Sequence, residues 1–122
     1  MTIEILKSKV KNVKVTTSNI NDNGVIKMSE ELLELLTITE NERLIIFNEK
    51  NNKEFTLFAE AFNETETPIK DMFEITCPIY VGGAGDHLSI TSMTTINIED
   101  AKEFKPYIIT HNQLVVDYIN NI

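Results

Sequence analysis

The sequence predicts a fold dominated by β-structure, a small barrel with one or two short helices. Three observations predict it. Short apolar or alternating runs recur along the chain, about six to eight of them of strand length, each bounded by Asn, Asp, Gly or Pro. Two polar triplets, "KNN" and "HNQ", sit between such runs like hairpin turns. Only "SEELLELL" opens with a clear helix-start signal.

Taken in order, "KNVKVTTSNI" alternates Val13 and Val15 with Lys14 and Thr16, the period of a half-buried strand. "NDNG" is turn chemistry, because Asn, Asp and Gly tolerate positive φ. "VIKM" is a second short strand. "SEELLELL" is a short helix: Ser29 caps its first amides, and Glu30 and Glu31 suit the positive end of the dipole. "ERLIIFNE" and "KEFTLFAEAF" are strands of a hairpin around "KNN", and "NETETP" is a loop. "MFEITCPIYV" is a strand-like run that Pro78 interrupts or places at an edge. "GGAGD" is a turn before the strand "HLSITSM", "NIEDAKEF" holds one helical turn, and "PYIIT" and "LVVDYI" form a last hairpin around "HNQ". No repeat or linker divides the chain, so residues 1–122 read as one domain.

The chain has 42% hydrophobic and 25% charged residues, an ordinary globular composition. Its net charge of −8 argues against a basic surface for nucleic acid or anionic membrane, while leaving room for a local basic pocket. Cys77 is the single cysteine, so no intrachain disulfide forms, which suits a reducing cytoplasm. The opening "MTIEILKSKVKN" lacks the apolar core of a signal peptide, and no run approaches the ~18 apolar residues of a membrane span. A cytoplasmic location is expected. His87 and His111, the only imidazoles, lack clustered spacing, so no metal site is expected.

One resemblance covers nearly the whole chain. "LKSKVKNVKVT", followed by the turn glycine Gly24, is similar to the start of the pyruvoyl-dependent L-aspartate α-decarboxylases. The acidic helix after the turn, "ENERLIIFNEKNNKEF" with Asn51, the Gly85–Asp86 pair before a strand, and Pro106 continue it; residues 60–84 align poorly. The resemblance implies a double-psi β-barrel and a homotetramer with sites between subunits. It also implies the family chemistry: a serine after the glycine cuts its own backbone and becomes a pyruvoyl group, an electron sink for decarboxylation.

The chain departs from that pattern where the chemistry lies. The serine position is Val25, which has no oxygen to attack with, so a pyruvoyl cofactor is expected to be absent. Ser18 and Ser29 are poorly placed to substitute. The family tyrosine before the glycine is Asp22, the arginine that grips the substrate carboxylate is Glu54, and the threonine implicated in cleavage is Leu57. The tyrosine proton donor is Phe58, and the pocket motif has become "ITCPIY", with Thr76 in place of its asparagine or that asparagine missing. Lys9 stands at the family's substrate-binding lysine, and Lys11 where a histidine is usual.

Each candidate has a bland reading beside the sharp one. Lys9 is a solvated strand lysine, or an anion clamp or activated amine. Asp22 is a turn former, or an acid or base near Lys9. Glu54 is a solvated strand residue, or joins Asp22 and Lys9 in a proton-moving pocket. Cys77 is a small buried residue, or a nucleophile. Tyr80 is a core aromatic, or a phenol in the pocket. His87 and His111 are read as surface or structural, and "YVGGAGD" as a tight turn, since it lacks the ending and setting of a P-loop. The resulting expectation is an uncleaved, repurposed enzyme. Lys9, Asp22, Glu54 and Cys77 would do acid–base chemistry on a small or carrier-bound metabolite, with Lys9, Lys11, Phe58, Thr76 and Tyr80 binding it. The alternatives are a non-catalytic relative that binds a metabolite or partners an active decarboxylase, and a residual decarboxylase for β-alanine and pantothenate synthesis.

Overall fold

The computed structural model describes residues 1–19, 24–62 and 72–121. Among these, eight strands form one sheet: β1 Thr2–Lys14, β2 Thr17–Asn19, β3 Val25–Met28, β4 Arg43–Asn48, β5 Lys53–Ala61, β6 Thr76–Pro78, β7 His87–Asn97 and β8 Tyr107–Thr110. The described residues also hold the α-helices α1, Glu30–Leu35, and α2, His111–Asn120, and Ile98–Asp100 forms a 3₁₀ turn. The loop expected at "NETETP" and the turn residue Asp22 lie outside the described residues.

The strand order is β2-β6-β3-β5-β4-β7-β1-β8. Connectivity forces this sheet to curl. In a flat sheet β2 and β1 would stand six spacings apart, about 29 Å. Yet only Val15 and Thr16 join them, and that link reaches at most about 11 Å. Backbone bonds close the gap: Thr16 N–H donates to Ile75 O (2.9 Å), Val15 N–H to Asp86 O (2.9 Å) and Gly85 N–H to Val15 O (2.8 Å). Antiparallel pairs, β1 with β7 and β4 with β5 and β7, mix with parallel pairs, β1 with β8, β2 with β6 and β3 with β5. A curled mixed sheet with two short helices is the double-psi β-barrel that the resemblance implies.

Strand alternation decides what faces in. On β5, Leu57, Ala59 and Ala61 are buried while Glu54, Thr56 and Phe58 are exposed. β4 turns Leu44 and Ile46 inward, β3 Ile26 and Met28, and β7 Leu88 and Ile90. Ser29 caps α1 as expected, accepting from Leu32 N–H at 3.0 Å. That orientation sends Leu32 and Leu33 into the same core.

The end of the chain differs from expectation. β8 forms, but "LVVDYI" belongs to α2 rather than to the second arm of a hairpin. Thr110 caps α2 by accepting from Gln113 N–H at 3.1 Å, and Gln113 reaches Asp117 at 2.7 Å one turn on. Leu114 is buried, and Val115 and Tyr118 pack against the core. With His111 they form an i, i+3, i+4, i+7 stripe, which only a helix turns to one side. β8 instead pairs in parallel with β1. The run around Cys77 forms only the three-residue strand Thr76–Pro78, after which Val81 N–H turns back onto Pro78 O at 3.0 Å.

Candidate functional site

The turn before β3 keeps its special geometry. Gly24 has φ +76, the left-handed region that a side chain resists. Its carbonyl accepts from Phe58 N–H at 2.9 Å, because β3 and β5 pair in parallel with Val25 opposite Phe58. A Cβ placed on Gly24 would lie 4.0 Å from the Tyr80 hydroxyl. Phe58 is 46% exposed and Tyr80 59%. The Tyr80 ring meets Phe55 edge-on, with centroids 5.9 Å apart. Gly24 therefore lies between Val25 and Phe58, which pair on the outer side of β3 and β5, and Tyr80, which packs on the inward-facing Phe55. Thr76 lies beside them, opposite Lys27 of β3, with its hydroxyl 2.7 Å from that of Thr17.

Lys9 lies on the outer face of the same sheet but not in that cluster. Register runs across the strands from Ile108 through Lys9, Thr91 and Ile45 to Thr56. Lys9 and Thr56 are thus three spacings apart, about 14 Å. Glu54 projects from the exposed face of β5, four residues before Phe58 and about 13 Å from it along the strand. Within one protomer Lys9 and Glu54 do not share a pocket. Lys11 is exposed at the edge of β1, opposite Thr110.

Cys77 is fully buried, a member of the core, and its thiol donates to Gly82 O at 3.5 Å. Ser18 sits on β2 in register with Cys77. The Ser29 hydroxyl is committed: besides capping α1, it donates to Met72 O at 2.8 Å. His87 opens β7 with an exposed side chain. His111 begins α2 rather than a hairpin turn and is half-buried, and burial pushes its pKa below the ordinary imidazole value. The "GGAGD" segment is a turn closed on itself. The Asp86 carboxylate accepts from Gly83 N–H at 3.0 Å, and that bond, aided by the Asn48 amide, holds it below the usual carboxylate range. The turn's own acid takes the amide that a phosphate would need.

Two polar groups that sequence reasoning missed hold this frame. Asn48 is fully buried at the end of β4. Its amide donates to Val81 O at 2.8 Å and to Asp86 at 3.3 Å, while its oxygen accepts from Lys50 N–H at 2.9 Å. Glu42, before β4, takes Lys7 at 3.0 Å, Thr39 N–H at 3.1 Å and the buried Ser92 hydroxyl. Burial pushes the Glu42 pKa up, but Ser92, Thr39 and Lys7 together outweigh it and hold the carboxyl below its ordinary value. Lys7 lies where the β1–β7 register shifts, between Leu6 and Ser8, so the network fixes a bulge two residues from Lys9. A polar residue at an inward strand position was the one available signal for Asn48.

Comparison with known proteins places this geometry. The profile of a family described as aspartate decarboxylase matches residues 1–116. An aspartate 1-decarboxylase of Prosthecochloris aestuarii is 32% identical over 128 residues, covering 99% of this chain and 88% of that protein. One from Flavobacterium psychrophilum is 32% identical over 113 residues, covering 93% and 95%. One from Cytophaga hutchinsonii is 31% identical over 125 residues, covering 94% and 100%.

Proposed function

Because the chain belongs to the aspartate decarboxylase family, we propose a function defined by what that fold keeps and what its turn has lost. The protein persists as an uncleaved chain without a pyruvoyl group, and Lys9 serves a small or carrier-bound metabolite by acid–base chemistry. The observation that carries the reading is the pair Gly24–Val25. The turn is held, with φ +76 and its carbonyl on Phe58 N–H, but the next side chain is hydrocarbon only. The residues present do not fit the group: Ser29 is tied to a helix cap and to Met72, and Ser18 lies on another strand.

Assembly completes the site in this reading. Lys9, Val25 and Phe58 share one sheet face, too far apart to act together in one protomer. The face carries exposed or half-exposed apolar groups, Phe58, Ile45, Phe47 and Met93, as a surface covered by a neighbouring subunit would. In a homotetramer, Lys9 of one protomer meets Val25, Phe58 and Tyr80 of the next. Glu54 is the accessible carboxylate for elimination, cyclisation or hydrolysis, and Asp22, the second carboxylate the sequence offered, lies outside the described residues. Cys77, sealed in the core, has no part. The location that suits such an enzyme is the cytoplasm.

A second reading has its own observation. Val25 and Phe58 put two apolar groups where the family has hydroxyls, as in a non-catalytic relative that binds a metabolite or assembles with an active decarboxylase. Intact mass spectrometry and phenylhydrazine test the first half: an unbroken chain without a trapped ketone is expected, and two fragments with a trapped ketone restore the decarboxylase. Lys9→Ala tests the second half. Loss of turnover or metabolite binding is expected, and unchanged behaviour leaves the non-catalytic reading.

A further inference from the structure

Outside the Gly24 region, the features that stand out converge on the far end of β1. Two cavities of about 580 Å³ and 600 Å³ open there, within the size range of small-molecule sites. Lys14 and His111 line both; His87, Glu49 and Asn12 contribute to the first. The wall is therefore assembled from β1, the β4–β5 turn, β7 and α2, which no local sequence pattern brings together.

Its electrostatics are incomplete. Lys14 is exposed and sits directly opposite His87 across the β1–β7 ladder. The ion pairs among the described residues engage Lys7, Lys27 and Lys50, not Lys14. Glu49 lines the same cavity but makes no ion pair with Lys14: the Asn12 side-chain amide lies 3.2 and 3.3 Å from its two carboxylate oxygens, and the Ser89 hydroxyl is 3.5 Å away. His111 is held edge-on against Phe73, with centroids 5.8 Å apart, and its buried Nε2 has no hydrogen-bond partner among the described residues. Leaving such an atom without a partner is costly, a gain open to a ligand whose polar atom reaches it.

We propose that this end of the barrel is a second small-molecule site. It takes a metabolite bearing a carboxylate or phosphate, its anionic group between Lys14 and His87 and a polar atom of its body at His111. With a net charge of −8 the protein as a whole repels anions, so binding there depends on Lys14.

Titration of the full chain with succinate and, separately, inorganic phosphate, followed through the His87 and His111 ring signals by NMR, tests the site. Both rings are expected to shift together and saturate with at least one probe, and the tighter probe distinguishes carboxylate from phosphate. Lys14→Ala weakens that binding at least about tenfold, about 1.4 kcal/mol. Lys50→Ala, which removes a lysine already 3.9 Å from Asp86, leaves it unchanged. His111→Phe keeps the aromatic contact with Phe73 and also weakens binding. Shifts that never saturate, or that are the same in Lys14→Ala, overturn the proposal.

Discussion

Replacing Asn48 by leucine tests whether one buried amide holds the β4–β5 hairpin to the "GGAGD" turn. The side chains share their branching and their number of heavy atoms, leucine being the bulkier, so the change removes hydrogen bonds without opening a cavity. It leaves the carbonyl of Val81, itself fully buried, without the donor now at 2.8 Å; an orphaned buried group costs about 1–3 kcal/mol. The 3.3 Å bond to Asp86 is long, and Asp86 keeps Gly83 N–H, so its loss adds little. Lys50 N–H belongs to an exposed residue that water reaches, adding about 0.5 kcal/mol. With the middle of the range for Val81, the sum is about 2.5 kcal/mol. At about 4 °C per kcal/mol for a chain of this size, the melting temperature falls by about 10 °C. Circular dichroism melts at pH 7 and matched protomer concentration measure it, because assembly also shifts the apparent stability. Asn48→Asp, which sets a carboxylate against Asp86, falls further. A drop below about 3 °C for Asn48→Leu refutes the argument, since something else then satisfies Val81.

Other outcomes follow from the same coordinates. Val25→Ser restores a hydroxyl beside the Gly24 carbonyl, but Leu57 points into the core and offers no second hydroxyl; intact mass is expected to show a largely whole chain, and complete spontaneous cutting would show that position 25 alone decides. Stability depends on pH through groups whose pKa is lower folded than unfolded. The unfolded chain takes a proton at His111 near its ordinary value of 6.5 while the folded chain resists it, so the melting temperature declines as pH falls below 6.5. A further decline begins below the ordinary values of 4.5 for Glu42 and 3.8 for Asp86, and His111→Phe removes only the first step. Cys77 is expected to resist a thiol reagent in the native protein and to react at the rate of unfolding; rapid native labelling would contradict its burial.

Local signals sufficed for most of the fold. Ser29 announced its helix, "KNN" its hairpin, and the alternation of Leu57 and Ala59 with Thr56 and Phe58 its inward face. The error at "LVVDYI" has a clear cause: two β-branched-rich pairs suggested a strand, whereas the longer stripe His111, Leu114, Val115 and Tyr118 carried the helical period, with Thr110 as its cap. Barrel closure was not legible from periodicity, because it follows from a two-residue link between strands six places apart in the sheet order. Nor was the separation of Lys9 from Glu54, which depends on how many strands intervene. Asn48 and Glu42 escaped notice because their partners lie tens of residues away along the chain.

The two turns tolerate substitution differently, because different parts of the chain make their bonds. At Gly24 the structural bond is entirely main-chain: Phe58 N–H holds the Gly24 carbonyl whatever side chain position 58 carries. Valine and phenylalanine are good strand formers, so exchanging hydroxyl-bearing groups for them leaves the β3–β5 ladder intact. At the Asp86 turn the side chains themselves make the bonds, and even Gly82 is constrained, since an added Cβ would fall 3.0 Å from the Asn48 amide and 3.2 Å from the Asp86 carboxylate. Substitution there breaks the frame; substitution at the mouth changes only what the frame presents. In the proposed reading, a barrel arranged this way discards an inherited reaction without unfolding, and its function is sought in the side chains on its outer face rather than in the backbone that positions them.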